Sequence, residues 1–292
     1  MDAFQKVGIS VSGEVILKYI IRLTDKALED KNLRVVFEMP NGKTQMQNIT
    51  DAVDNGDGTY TFKCSIPIKY INDSIKAQVY YSNNVKGSYL EYSVTKYSDF
   101  IIANPNSFGE ATVNSIKAML NFSGYVQIFS GRAPAESANF NLGMALDDVD
   151  LDIGDEFNAV KTINSDTVSI AAANLSMDKL TNINIKFNIA AGANVSDYIF
   201  TVDGQTVTPK KSGSSYYVTM EGISPVNFDK MYEFKVQSKN DDSDYVSLKY
   251  SCITYAKKVL EISSDNRLRN TMKALYFFNQ EIKRYVNQEE EE

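Results

Sequence analysis

The chain has 292 residues, 43% of them hydrophobic and 23% charged, with a formal net charge of −7. That balance is ordinary for a folded globular protein, excludes wholesale disorder, and leaves room for two domains that each bury a core. The acidic charge and the lack of a basic face disfavour nucleic acid as a partner; there is no apolar run of the roughly eighteen residues that cross a membrane; and with no histidine at all, Ser-His-Asp and Cys-His catalysis and histidine-held metals are removed.

In chain order, Val11 to Leu23 is rich in Val, Ile and Tyr and predicts a first strand. Thr24 to Asn32 is polar and reads as a short helix or loop. Leu33 to Met39 resumes strand-type residues, and Pro40-Asn41-Gly42 is the turn that folds it onto Thr44 to Ile49. After a second turn, Asp54-Asn55-Gly56-Asp57-Gly58, the residues Tyr60, Phe62, Cys64 and Ile66 alternate with Thr61, Lys63 and Ser65, which predicts a strand with one buried face. Ile75 to Tyr81 and Ser88 to Tyr92 form a further pair around Asn83-Asn84 and Gly87.

The period then changes from two to about 3.6. Ser93 is the expected cap of a helix to Ile102, which Asn104-Pro105 ends. A longer helix is expected over Glu110 to Phe129, stopped by Gly131. Six strands followed by two helices make an α+β unit in which an amphipathic helix covers one sheet face.

The second half repeats this plan. Leu90-x-Tyr92-Ser93-x-x-x-Tyr97 returns as Leu248-x-Tyr250-Ser251-x-x-x-Tyr255, an offset of 248 − 90 = 158. Ile116, Met119, Phe122, Val126 and Phe129 match Met272, Leu275, Phe278, Ile282 and Tyr285 at 156, spacings that keep all of them on one helical face. Upstream, Tyr60, Ile66, Ile71 and Val79 pair with Tyr217, Ile223, Phe228 and Val236 at 157. The expected fold is therefore two similar α+β domains, each a mainly antiparallel sheet or sandwich followed by two C-terminal helices: a first domain at 1–131, a connector at 132–164 and a second domain at 165–292 with an acidic tail. Leu142, Met144, Leu146, Val149, Leu151 and Ile153 make the connector too apolar for a tether, so it is expected to pack on a domain and begin the second sheet. Asp265 is expected to cap the final helix, and the Glu289 to Glu292 run to be solvated.

Few residues carry chemistry. Cys64 and Cys252 align with Glu221 and Val94, non-equivalent places, so they read as buried apolar thiols with no disulfide or metal role. No Walker loop, dinucleotide fingerprint or nucleophile elbow occurs, and nothing singles out a glycosidase pair among the 37 acids. Asp148, Asp150 and Asp152 with Gly154 and Asp155 look like a cation loop, but an EF-hand would need Gly and Glu where Ile153 and Ala159 stand. A half-buried strand fits that alternation better. Tyr92, Tyr97, Tyr250 and Tyr255 recur at the helix starts, where packing accounts for them. The binding candidates are Tyr80, Tyr81, Asn83 and Asn84, a hairpin tip whose rings and amides could stack on and bond to a sugar. The matching tip, Lys239-Asn240-Asp241-Asp242, lacks aromatics, and the absence of Trp weighs against a glycan platform.

Lys117 to Phe129 (Lys-Ala-Met-Leu-Asn-Phe-Ser-Gly-Tyr-Val-Gln-Ile-Phe) and Lys273 to Gln280 (Lys-Ala-Leu-Tyr-Phe-Phe-Asn-Gln) resemble the tandem C-terminal modules of uncharacterised cell-surface proteins of gut Firmicutes (Clostridia). In that family the first helix carries a Leu-Asn-Tyr-Gly-Ala-Tyr-Ala-Gln-like motif; here Ser123 precedes Gly124, and Val126 replaces a small residue. The resemblance covers most of residues 8 to 286. It implies an extracellular, cell-envelope setting and no catalytic residues. Met1 to Lys6 lacks the features of a signal peptide, so the chain is expected to be cytosolic or, under the resemblance, a fragment or mature form. The expected function is a non-enzymatic surface module for adhesion or spacing, without cofactor or metal, whose partner is a host or bacterial protein or a glycan. The alternative is a glycan-binding accessory module of a surface carbohydrate-active protein.

Overall fold

Period-two patterning becomes one-sided burial along β2 (Ile16–Arg22), where Leu17, Tyr19 and Ile21 are buried and the residues between them are half-buried. The structure, a computed structural model, describes residues 2–10, 14–40, 42–137, 146–177 and 180–291. Val11, Asn41, Leu142, Met144 and Glu292, to which the sequence assigns roles, lie outside the described residues. The fold is α+β, with four antiparallel sheets and six helices among the described residues. The chain divides into two units, Met1–Leu142 with Arg284–Glu292, and Gly143–Lys283.

In the first unit β1 (Ala3–Ser10), β2, β6 (Thr59–Ser65) and β5 (Val53–Asp54) form one sheet in the order β1-β2-β6-β5. The other runs β4-β3-β7-β8, from β3 (Arg34–Glu38), β4 (Thr44–Asn48), β7 (Ile75–Tyr80) and β8 (Lys86–Tyr92). The strand expected over 11–23 is β2, and a strand that was not expected, β1, precedes it, because Lys6 and Gly8 interrupt the apolar pattern of Ala3–Ser10. Together with β5, whose two residues are too short to show a period, β1 brings the strands of this unit to eight among the described residues, against the expected six. The sheets face each other: the rings of Tyr19 on β2 and Phe37 on β3 lie 5.4 Å apart, and Gln45 Nε2 donates to the Ser65 carbonyl at 2.6 Å. Phe62, Cys64, Val35, Ala77 and Val79 fill the space between them.

The short helix α1 (Asp25–Leu28) follows β2, and three helices close the unit: α2 (Val94–Ala103), α3 (Pro105–Phe108) and α4 (Glu110–Phe129). The Ser93 hydroxyl accepts from Lys96 N at 3.1 Å, the expected cap. On α4, Ile116, Met119, Phe122 and Val126 are buried as the stripe requires, while Phe129 at its end is 37% exposed. Gln127 Nε2 donates to the Lys69 carbonyl at 3.1 Å, fixing α4 to the turn before β7.

In the second unit one sheet runs β10-β11-β15-β14, made of β10 (Val168–Ser176), β11 (Asn182–Ile189), β14 (Lys210–Ser212) and β15 (Ser215–Met220). The other runs β13-β12-β16-β17-β9, from β9 (Val160–Asn164), β12 (Tyr198–Val202), β13 (Gln205–Thr206), β16 (Tyr232–Ser238) and β17 (Tyr245–Tyr250). Phe187 and Phe200 meet across the sheets with centroids 6.3 Å apart. Helices α5 (Cys252–Ile262) and α6 (Asn266–Glu291) follow. The Asp265 carboxylate accepts from Arg267 N at 2.9 Å, the expected cap. Met272, Leu275, Phe278 and Ile282 are buried.

Two backbone contacts recur at positions that the expected duplication pairs. Ile66 N donates to Val15 O at 2.8 Å and Ile223 N to Thr181 O at 2.9 Å; Thr95 N donates to Ile71 O at 3.3 Å and Ile253 N to Phe228 O at 3.0 Å. Two pairings differ from the expected ones. Phe62 lies opposite Tyr19, and Val218 opposite Ile185, so the strand counterpart of Tyr60 is Tyr216, and that of Cys64 is Met220 rather than Glu221. Glu221 and Gly222 add a residue before Ile223, and a one-residue slip reverses the face.

The connector packs on the second unit through buried Leu146 and Ile153, and β9 pairs with β17. The half-buried strand expected over Asp148–Ile153 does not form; a turn at 147–148 is followed by irregular backbone. Lysines hold the carbonyls that flank the segment: Lys273 Nζ donates to Leu146 O at 2.6 Å and Lys257 Nζ to Gly154 O at 3.1 Å.

Candidate binding groove at a hairpin tip

The β7–β8 connection is too short for the strands to part far, and it folds as a 3-10 turn over Ser82–Asn84. Asn84 takes a positive φ of 60°, a region Asn tolerates because its side chain bonds locally. The turn leans on the loop between α1 and β3. There the Asp30 carboxylate accepts from Ser82 N at 2.6 Å, from Ser82 Oγ at 2.7 Å and from Asn32 N at 2.9 Å. These bonds, the Ser82 hydroxyl first and its backbone second, hold the Asp30 carboxyl below the usual carboxylate range.

The four candidate residues occupy different environments. Tyr80, at the end of β7, is half-buried with the Arg34 guanidinium 5.5 Å from its ring centroid. The Tyr81 hydroxyl donates to Oδ2 of the buried Asp2, whose Oδ1 accepts from Thr24 N at 2.7 Å. The ring passes over Gly87, where an added Cβ would sit 2.9 Å from Tyr81 Cε2; only glycine admits it. Asn83 lies in the 3-10 turn. Asn84 Oδ1 accepts from Arg34 Nη2 at 2.5 Å.

Tyr81, Ser82 and Val85 line an open groove of about 770 Å³ together with Ala27, Asp30 and Lys31. Its surface mixes an aromatic ring and small apolar groups with lysines and a carboxylate, the composition of a recognition site. The tip is thus built as a wall, with the Tyr81 hydroxyl and the Asn84 amide oxygen already committed. Asp2, Asp30 and Arg34, which position it, went unread in the sequence. Asp30-x-Asn32, an Asx pattern after a short helix, was the available signal for Asp30; nothing local marks Asp2 or Arg34.

The other candidates sit in ordinary surroundings. Cys64 and Cys252 are buried, and burial pushes the Cys64 thiol up to about 12 and Cys252 up as well. Tyr250 is buried, and Tyr92, Tyr97 and Tyr255 half-buried, at the starts of α2 and α5. Among the described residues no group of three or more Cys, Asp and Glu is placed to hold a metal ion. No helix of the described residues is long and apolar enough to cross a membrane. Neither a protein-family model nor a curated protein matches the chain.

Proposed function

We propose that the chain is a non-enzymatic cell-surface module made of two diverged copies of one α+β domain, serving adhesion or spacing within a larger envelope protein. The observation that carries this reading is the recurrence of one plan: strand order β1-β2-β6-β5 against β10-β11-β15-β14, and β4-β3-β7-β8 against β13-β12-β16-β17 with β9 added. Serine caps a helix after the last strand of each copy. Repetition of a whole folded unit lengthens a protein and multiplies its faces without assembling a catalytic constellation. The extracellular setting rests on the resemblance of residues 117–129 and 273–280 to surface modules of gut Firmicutes.

A second reading, a glycan-binding accessory module, is supported by the groove beside Tyr81. Binding of the intact chain to an array of glycans, mucins and extracellular-matrix proteins, with a heat-unfolded control, tests both. Saturable capture on protein spots favours adhesion, and capture on sugar spots the accessory role. A blank array from folded protein removes both binding readings and leaves the spacer.

A further inference from the structure

The outer face of the sheet β10-β11-β15-β14 carries an ordered row of polar side chains. On β11, Asn182, Asn184, Lys186 and Asn188 alternate with the buried Ile183, Ile185 and Phe187 and so share the outward face. Strand register sets Asn174 opposite Asn184, and Asn184 opposite Thr219. The side chains bond along that row: Asn184 Nδ2 donates to Asn174 Oδ1 at 2.9 Å, and Thr219 Oγ1 donates to Asn184 Oδ1 at 2.9 Å. In the adjacent row Tyr217 lies between Lys186 and Lys210, the Lys186 ammonium 5.8 Å from the ring centroid. A shallow cleft of about 370 Å³ spans the two rows, within the size range of small-ligand sites.

Fixed amides cost little further ordering when a ligand arrives. The Asn174 amide nitrogen and the Tyr217 hydroxyl have no hydrogen-bond partner among the described residues, so donors remain for a ligand. Glu221, at the rim, is matched by Lys210 at 3.3 Å, so the cleft offers no unmatched carboxylate. An apolar ligand would leave the amides unpaired at a cost. A ligand rich in hydroxyls, with an apolar C–H face for the tyrosine, satisfies both rows. The first copy does not repeat the arrangement, since Lys18 and Ile20 stand on the corresponding strand β2.

We infer that this sheet face of the second unit binds a neutral oligosaccharide, which stacks on Tyr217 and exchanges hydrogen bonds with the Asn174–Asn184–Thr219 row. The inference rests on the sugar-recognition reading and moves the site from the first unit's hairpin tip to the second unit's sheet.

The test is titration calorimetry of the full chain with cello-, xylo-, manno- and laminari-hexaose and with oligogalacturonate, at roughly millimolar ligand. The expected result is saturable heat with a neutral hexaose. It should weaken by about tenfold in Tyr217→Ala, weaken in Asn174→Ala, and persist in Tyr217→Phe and Tyr81→Ala. Amide NMR of the unaltered chain should place the shifts on the Asn174 and Asn184 side chains, a readout that no folding defect can mimic. Loss in Tyr81→Ala alone, with shifts at residues 80–84, overturns the inference and leaves sugar recognition at the tip. Binding of oligogalacturonate alone overturns the neutral-ligand assignment. Silence with every probe overturns the site, while capture of proteins on the array stands apart from that outcome.

Discussion

Asp30 and Ser82 are joined twice: the serine amide and hydroxyl both donate to one carboxylate, at 2.6 and 2.7 Å, across 52 residues of sequence. This pair ties the β7–β8 tip to the loop after α1 and shapes the groove between them. In Asp30→Ala the amides of residues 82–85 are expected to exchange with solvent faster than in the parent chain, with the rest of the sheet unchanged. Unchanged protection at the tip would show that the carboxylate does not order it.

The same pair has a pH signature. The folded Asp30 pKa lies below its unfolded value of about 3.9, so the folded state binds fewer protons and the contribution is present above that pH. It is lost as pH falls through the depressed folded value. The stability difference between the parent and Asp30→Asn should therefore be largest near neutrality and shrink below about pH 4. Melting curves from pH 2 to 7 would reveal the opposite slope if the assignment were wrong.

Tyr19 is fully buried between the first unit's sheets, and its hydroxyl has no hydrogen-bond partner among the described residues. Burial, with Cys64 and Tyr92 nearby, pushes its pKa well above the usual tyrosine value. An unpaired buried hydroxyl costs on the order of 1–3 kcal/mol, and phenylalanine keeps the ring that meets Phe37. Tyr19→Phe is expected to raise stability by about 1 kcal/mol, read as a higher urea midpoint. A loss of stability would reveal a partner for the hydroxyl.

The strap before β9 is held by lysines. Lys273 Nζ donates to Leu146 O at 2.6 Å, Asn270 Nδ2 to Asp147 Oδ1 at 2.6 Å, and Lys257 pairs with Asp155 at 2.8 Å. Burial, with Arg269 adding to it, depresses the Lys273 pKa, while Asp147, Asp150 and Asp148 oppose the shift. Lys273→Ala removes the charged donor and leaves the Leu146 carbonyl only its longer bond from Val149 N at 3.3 Å, which should cost about 1–3 kcal/mol. Faster proteolytic cleavage within 146–157 would accompany it; equal cleavage rates would show that the strap is held elsewhere.

Cys64 and Cys252 are both shielded, and burial raises both thiols far above neutrality. Neither should react with a thiol-specific disulfide reagent in the folded chain at pH 8, and both should react in denaturant. Rapid labelling of the native protein would contradict the packing of β6 or the start of α5.

The sequence by itself determined the α+β class, the alternating strands, the caps Ser93 and Asp265 before α2 and α6 and the apolar stripes of α4 and α6. All of these are local periods of two or 3.6 residues, and side chains repeat them on one face whatever the rest of the chain does. What crosses long intervals was decided only by the tertiary structure. Ala3–Ser10, too broken by Lys6 and Gly8 to announce a strand, became one because β2 offered it an edge. Asp148–Ile153 alternates like a strand yet pairs with no edge, and lysines on α5 and α6 hold the carbonyls of Gly154 and Leu146 that flank it. Tyr216 rather than Tyr217 is the strand counterpart of Tyr60 because the second half has one more residue between β15 and Ile223, and in a sheet one residue reverses the face. The groove at Tyr81 and the amide row at Asn184 share that origin: their members lie tens of residues apart or on separate strands, and only strand pairing sets them side by side.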